Sequence, residues 1–212
     1  TARQLKITLG PAAEANSFAI SDLQANLGEG ITGSFSGADI RLFAVPLNLN
    51  GSAGEWSYED GIFRIGSAEF TLEDRAEEPR FNPMAARDAT LALEDNVISA
   101  NALLRNPASD RAISGVAIQH NLSSGTGFAD LNVERLEFDE NLQPDELTRL
   151  ALGVVANAKG IVTGSGRIDW NPEAVTSSGA FSSDALDFAA AFGPVVGASG
   201  TVEFVDLLNL TT

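Results

Sequence analysis

Apolar residues recur at every second position in short segments along almost the whole chain. Leu5, Ile7 and Leu9, with polar residues between them, are the first example. Successive side chains of a β-strand point to opposite faces, so each segment has one apolar and one polar face. Similar segments are Phe18-Ile20, Leu23-Ala25-Leu27, Val45-Leu47-Leu49, Ala68-Phe70-Leu72, Leu91-Leu93, Val116-Ile118, Leu131-Val133, Ile168-Trp170 and Val202-Phe204. About a dozen such strands predict an all-β fold, a long amphipathic antiparallel sheet.

Turn residues and strand glycines refine this prediction. Residues 49–51, 59–61, 94–96 and 123–125 place Asn, Asp, Ser and Gly between apolar runs, which predicts hairpins. Spaced glycines also recur in segments 30–37, 160–168 and 197–204. Glycine inside a strand marks a bulge or a bend, so these segments predict recurring curvature. The alternative is that glycine is simply common in β proteins.

One segment has helical spacing. Pro144 suits a first helical turn, acidic residues follow it, and Leu147 and Leu150 recur at helical spacing, so a short helix is predicted near 144–152. A second short helix is considered over 185–192, although Leu186-Asp187-Phe188 also fits a strand. Residues 73–87 form the longest loop-like stretch. The chain is predicted to be one domain, 1–212, with this loop as the place of any subdivision.

Composition excludes several function classes. The chain has 212 residues with 29 acidic and 13 basic side chains, a formal charge of −16, and no basic cluster. Such a chain repels phosphate backbones, so no nucleic-acid partner is expected. It has no cysteine, hence no disulfide, thiolate zinc site or thiol nucleophile. Alternation at both ends suggests a piece of a longer polypeptide.

The sequence contains no convincing catalytic or metal-binding constellation. His120 is the only histidine, and a triad or zinc site needs more partners. Gly164-Ser-Gly166 lacks the lysine of a phosphate-binding loop, and Asp130-Leu-Asn132 lacks the spacing of a calcium loop. Carboxylate pairs stand at Asp184/Asp187, Asp139/Glu140 and Glu77/Glu78. In so acidic a chain, such pairs are expected by chance. No catalytic residue, metal or cofactor is predicted, and Trp56, Tyr58 and Trp170 are expected to be core residues.

The second half resembles a known family. The segments that carry the resemblance are 142–148, 153–160, 164–170, 177–181, 186–194 and 200–208, which include Gly153-Val-Val-Ala-Asn-Ala-Lys-Gly160 and Gly164-Ser-Gly-Arg-Ile-Asp-Trp170. They are similar to the later portion of alphaproteobacterial YdbH-family proteins, over about residues 125–212. That family is grouped with the AsmA-like and TamB-like envelope proteins, and it supplies no catalytic residues to carry over.

The resemblance implies a sheet curled into an open trough with its apolar face inward. It also implies a long periplasmic protein of a Gram-negative bacterium, anchored in the inner membrane, that handles phospholipid acyl chains. Other segments of the same chain and envelope proteins are its expected partners. The groove lining is predicted from the clearest alternation: Phe18, Ile20, Leu47, Leu49, Phe70, Leu72, Leu91, Leu93, Ile168 and Phe204. Two alternatives stay open, a structural or adhesin-like β domain with a closed core and an envelope hydrolase.

Overall fold

The computed structural model describes residues 1–9, 16–28, 30–42 and 45–212. Its strands are β1 (Ala2–Leu9), β2 (Asn16–Leu27), β3 (Ile31–Arg41), β4 (Leu47–Glu59), β5 (Ile62–Asp74), β6 (Met84–Glu94), β7 (Val97–Arg105), β8 (Ala112–Asn121), β9 (Thr126–Phe138), β10 (Val155–Trp170), β11 (Val175–Ala190) and β12 (Gly193–Phe204). They form one antiparallel sheet in sequence order, and the sheet is not closed. The predicted all-β open sheet is therefore confirmed.

The helical predictions have mixed outcomes. The segment 144–152 forms a four-residue helix α1 (Pro144–Leu147) and a 3₁₀ turn (Arg149–Ala151), as its proline and acidic residues indicate. The helical alternative over 185–192 is wrong, because residues up to Ala190 belong to β11. Pairing with β10 and β12 satisfies the backbone of this segment, whereas an isolated helix so short is marginal in water.

Three of the four predicted hairpin turns are confirmed. Turns at 60–61 and 95–96 join β4 to β5 and β6 to β7, and residues 122–125 join β8 to β9. The prediction at 49–51 is wrong because these residues lie inside β4. Gly51 there has φ of +61° and stands at a register shift between β4 and β5. The glycine therefore makes a bulge within a strand rather than a turn between strands.

A row of bulges crosses the middle of four consecutive strands. Gly37, Gly51, Ser67 and Asp88 each have a positive φ and stand at register shifts in β3, β4, β5 and β6. A bulge bends its strand, so bulges aligned across a sheet bend the whole sheet along one line. We call this row the crease. Over β3 to β6 the crease separates two walls, which fits the open groove that the sheet is expected to form.

The two long edges of the trough differ. Strand ends joined by residues 60–61, 95–96, 122–125 and 171–174 form what we call the short-turn rim. Strand ends joined by residues 75–83, 106–111 and 139–154 form the long-loop rim. The loop 75–83 falls at the predicted subdivision 73–87, and β5 and β6 on its two sides pair directly. That 1–212 is a single domain stays a prediction.

The sheet has little interior of its own. The chain exposes 12616 Å² of surface, whereas a compact monomer of its mass, 22.2 kDa, exposes about 9,400 Å². Among the described residues, half of the buried apolar side chains are alanines, such as Ala38 and Ala86. Small side chains are covered by their neighbours within a sheet, while large ones need an opposing layer. Most large side chains of the apolar face lack that layer.

Candidate functional site: the apolar face of the trough

Strand pairing assembles one continuous apolar face. Directly paired residues of antiparallel strands point to the same side of a sheet. Near the long-loop rim, one ladder of pairs runs Phe18, Ile40, Leu49, Leu72 and Met84 across β2 to β6. Near the short-turn rim, another runs Trp56, Ile65, Leu91, Ala100, Ile118, Ala129 and Ile168 across β4 to β10. Both ladders belong to the same face of the sheet, which we call the apolar face.

The structure places every predicted groove residue on this face. Phe18, Ile20, Leu47, Leu49, Phe70 and Leu72 lie between the crease and the long-loop rim, and Leu91, Leu93, Ile168 and Phe204 lie toward the short-turn rim. All of them are half-buried, and none is fully buried. That these side chains contact lipid stays a prediction. What the structure adds is their common orientation and their division between two walls.

Part of the trough is roofed by the protein itself at the long-loop rim. The backbone N–H of Asn82 donates to the Leu147 carbonyl at 2.8 Å, and its side-chain amide donates to the Asp145 carbonyl at 3.0 Å. The Thr148 hydroxyl donates to the Arg80 carbonyl at 2.5 Å. These contacts join residues 75–83 to residues 139–151 over β6 to β9, roughly 14 Å of sheet. We call the joined segments the roof.

The roof packs on the apolar face below it. Leu142 in the roof is fully buried, and Leu147 packs with it against Val133, Leu136 and Phe138. Leu142 is the most buried large side chain of the described structure, which shows the effect of a second layer where one exists. The open part of the apolar face therefore lies mainly over β2 to β5 and toward the short-turn rim of β6 to β8, away from this cluster.

Ion pairs and amide hydrogen bonds hold the roof. Arg111 makes two hydrogen bonds of 2.9 Å to the Asp139 carboxylate, which lowers the pKa of Asp139 to about 2. Gln143 donates to the carbonyls of Asp139 and Ala158 and accepts from the Ala158 N–H. Burial alone would raise the pKa of Asp74, but hydrogen bonds from Arg80 and Ala76 outweigh it and hold that pKa below its usual value.

The C-terminal residues cover a second part of the apolar face. Ser177 donates its hydroxyl hydrogen bond to Asp206 at 2.9 Å and accepts one from the Leu208 N–H at 3.0 Å. A Cβ at Gly166 would lie 2.6 Å from Leu207 Cδ2, so Leu207 rests directly on the sheet at that glycine. The wall near Ile168 is therefore shared with residues 205–211 and is not wholly open.

The polar aromatic residues occupy this same face, although their sequence context predicted only a core role. Trp170 donates its indole N–H to His120 Nδ1 at 3.1 Å, so the lone histidine serves a structural hydrogen bond. Trp56 stacks against Phe63 with ring centroids 6.1 Å apart, and its buried indole N–H has no acceptor in the described structure. Their spacing could have predicted this position. Each of them alternates with the same period as the apolar residues of its own strand, and therefore points to the same face.

Two of the paired carboxylates that stand out in the sequence have hydrogen-bond partners of their own in the described residues. Asp139 is bound by Arg111, and Asp187 accepts from the Gly197 N–H. Within the described ranges, no three side chains of His, Asp or Glu come close enough together to hold a metal ion. No described helix has the length and apolar character needed to cross a membrane.

These features define a class of protein: a single open antiparallel β-sheet with one apolar face that its own chain covers only in part. The family model of the YdbH-like proteins, described as "Intermembrane phospholipid transport protein YdbH", matches residues 1–212. The chain belongs to the YdbH-like family. This match also includes residues 1–124, where the sequence shares with the family only its alternating strands and glycine-rich turns. Searches of curated proteins and of solved structures each gave no significant match. The family is one of lipid transport and not of enzymes.

Proposed function

We propose that the trough shields the acyl chains of phospholipids as a segment of an intermembrane transport protein. The observation that carries this proposal is the half-buried state of the large apolar side chains along one face. A sheet with such a face needs a second layer, and over β2 to β5 and toward the short-turn rim of β6 to β8 the described chain supplies little of one. Acyl chains fit this requirement because they are apolar and elongated.

The energetics suit transport better than fixed storage. Each methylene removed from water contributes roughly 0.8 kcal/mol, so a whole acyl chain is held firmly although each contact is weak. An acyl chain can move along a continuous apolar face of the protein by exchanging one set of contacts for an equivalent set. The proposed lining consists of Phe18, Ile20, Leu47, Leu49, Phe70, Leu72, Leu91 and Leu93, while Ile168 and Phe204 belong to the wall that residues 205–211 share.

The family description supports a place between two membranes. We propose that the protein works in the periplasm of a Gram-negative bacterium and that its full-length chain is anchored in the inner membrane. Other segments of that chain and envelope proteins are the proposed partners beside the lipid. A nucleic-acid partner is not proposed, since the charge of −16 repels phosphate backbones.

The two alternative functions have less support. A structural or adhesin-like domain with a closed core requires a filled interior, and this sheet is open. A hydrolase requires converging reactive side chains, whereas His120 is bound to Trp170 and Asp139 to Arg111. We therefore propose that the chain binds and conducts lipid without performing chemistry on it.

The test places a carboxylate in the trough and, for comparison, on the opposite face of the sheet. Leu49→Asp and Leu93→Asp change the apolar face, while Thr71→Asp and Ser99→Asp add the same charge to exposed positions of the polar face. Phospholipid bound by each purified protein is counted by native mass spectrometry after incubation with phospholipid vesicles.

The trough variants should lose most bound lipid and remain folded by circular dichroism, because a buried charge opposes acyl contact. The polar-face variants should keep their lipid. Equal lipid loss from both pairs, or no lipid on the unchanged protein, contradicts the proposed function. Unfolding of both Leu49→Asp and Leu93→Asp would identify these positions as a closed core and contradict it as well.

A further inference from the structure

Every polar aromatic side chain of the protein lies on one wall of the trough near the short-turn rim. The sequence contains two Trp, one Tyr and one His. A single ladder of pairs runs Tyr58, Phe63, Leu93, Ile98, His120, Gly127 and Trp170, and Trp56 stands two residues before Tyr58. These residues lie within the last few positions of their strands at that rim. The corresponding ladder at the long-loop rim contains only Phe, Ile, Leu and Met.

Such side chains mark a boundary between apolar and polar surroundings. Tyr and Trp present an apolar ring together with one polar atom, and they collect where a lipid changes from acyl chain to headgroup. Tyr58 is 46% exposed on this wall. The indole N–H of Trp56 is buried without an acceptor in the described part of the chain, a costly state that an ester or phosphate oxygen would relieve.

The turns beyond this aromatic ladder are acidic. Glu59, Asp60, Glu94, Asp95 and Glu173 are exposed, and they make no ion pair in the part of the chain that the structure describes. The turns 59–61, 94–96, 121–125 and 171–174 contain no Lys or Arg. The long-loop rim differs in that its acidic residues are interspersed with Arg75, Arg80, Arg111 and Arg149, and in that it is roofed over β6 to β9.

We propose that the short-turn rim binds the headgroup of a zwitterionic, amine-bearing phospholipid such as phosphatidylethanolamine. Its ammonium group lies at the acidic turns, its phosphate and ester oxygens lie at the aromatic ladder, and its acyl chains extend toward the crease. This inference rests on the proposed function. Charge complementarity distinguishes this occupant from an anionic phospholipid, whose headgroup offers no cation to the acidic turns.

The first test measures headgroup preference. The chain is incubated with vesicles that contain equimolar phosphatidylethanolamine and phosphatidylglycerol with identical acyl chains, and the bound lipids are extracted and quantified. We expect phosphatidylethanolamine to be enriched about fivefold, the effect of a few exposed charge pairs. The variant Asp60→Asn/Glu94→Gln/Asp95→Asn should bring the ratio close to one.

The matched control is Glu77→Gln/Glu78→Gln/Glu140→Gln, which removes the same charge from exposed positions at the long-loop rim. It should keep the enrichment. Bound lipid without enrichment, or the same loss of enrichment in both variants, overturns the headgroup assignment and leaves the proposed function standing. Absence of any bound lipid overturns both.

The second test measures depth by fluorescence quenching. Trp56→Phe leaves Trp170 as the only tryptophan, and Trp56→Phe/Trp170→Phe/Phe70→Trp places one beside the crease instead. We expect a spin label on the lipid headgroup to quench Trp170 more strongly than bromine atoms at the ends of the acyl chains do. For the tryptophan introduced at position 70, we expect the bromine atoms to quench more strongly than the headgroup label. Stronger quenching of Trp170 by the chain-end bromines overturns the proposed orientation.

Discussion

Trp170 reaches across strand β9 to donate its indole N–H to Nδ1 of His120, 3.1 Å away. The residue between them in the sheet is Gly127, and a Cβ at that position would lie 2.6 Å from Trp170 Cζ2. The ring lies over the glycine because no side chain occupies the space. A hydrogen bond between two strands that are not neighbours therefore depends on the absence of a methyl group on the strand between them.

Gly127→Ala should destabilise the protein by about 1–3 kcal/mol, because the new methyl group would lie 2.5 Å from the Gln119 carbonyl oxygen, displace the Trp170 ring and break its hydrogen bond to His120. The measurement is the free energy of unfolding from urea titration, followed by far-ultraviolet circular dichroism. Gly66→Ala is the control, since a Cβ there meets nothing within 4 Å. A loss of stability at position 66 as large as at position 127 would contradict the role of the Trp170 ring.

Acid should weaken the anchor of the roof. The pKa of Asp139 is lowered to about 2 in the folded protein, against about 3.9 for a free aspartate. The stabilisation from its bond with Arg111 is therefore complete above about pH 4 and is lost as the pH falls toward 2. In Arg111→Gln, the urea midpoint should decline less steeply between pH 4 and pH 2 than in the unchanged protein.

Arg135→Gln is the matched control for this comparison because its ion pair with Glu137 is exposed. Its midpoint should follow that of the unchanged protein through the acid range. Asp74 and Asp206, whose pKa values are also lowered, contribute to the decline in all three proteins. Identical slopes for Arg111→Gln and the unchanged protein would refute the contribution of Asp139.

The roof should open locally when its side-chain contact is removed. Asn82→Ala deletes the amide that donates to the Asp145 carbonyl, at a cost of about 1 kcal/mol. Hydrogen exchange in a peptide covering 143–152 should become faster, while the strands keep their protection. Asn101→Ala, on the exposed polar face of β7, should leave exchange in this peptide unchanged. Unaltered exchange in Asn82→Ala would show that the roof does not depend on this contact.

Alternation predicted the strands well but predicted their ends poorly. Phe18-Ile20 and Leu23-Ala25-Leu27 are two apolar runs of the single strand β2, and β7 was not singled out because Ala100 and Ala102 give a weak apolar signal. The local sequence determines the alternation of apolar and polar side chains along a strand. Its length depends on pairing with both neighbours, which involves residues distant in the chain.

The crease was predicted only in part. Strand glycines indicated curvature, and Gly37 is one of the crease residues, but Ser67 and Asp88 adopt positive φ without being glycine. Serine and aspartate are ordinary on a polar strand face, so their sequence gives no sign of the bulge. Their conformation is in line with the bulges on the strands beside them, which only the pairing of the strands reveals.

The sequence by itself determined that the chain forms amphipathic antiparallel strands, because the two-residue period of hydrophobicity is a local property that no distant contact can supply. It also determined the acidic surface and the glycines at which strands bend. Only the tertiary structure decided where the apolar face is open. The roof and residues 205–211 cover it through contacts such as Asn82 with Leu147 and Ser177 with Asp206, and contacts between segments so far apart depend on how the whole sheet bends.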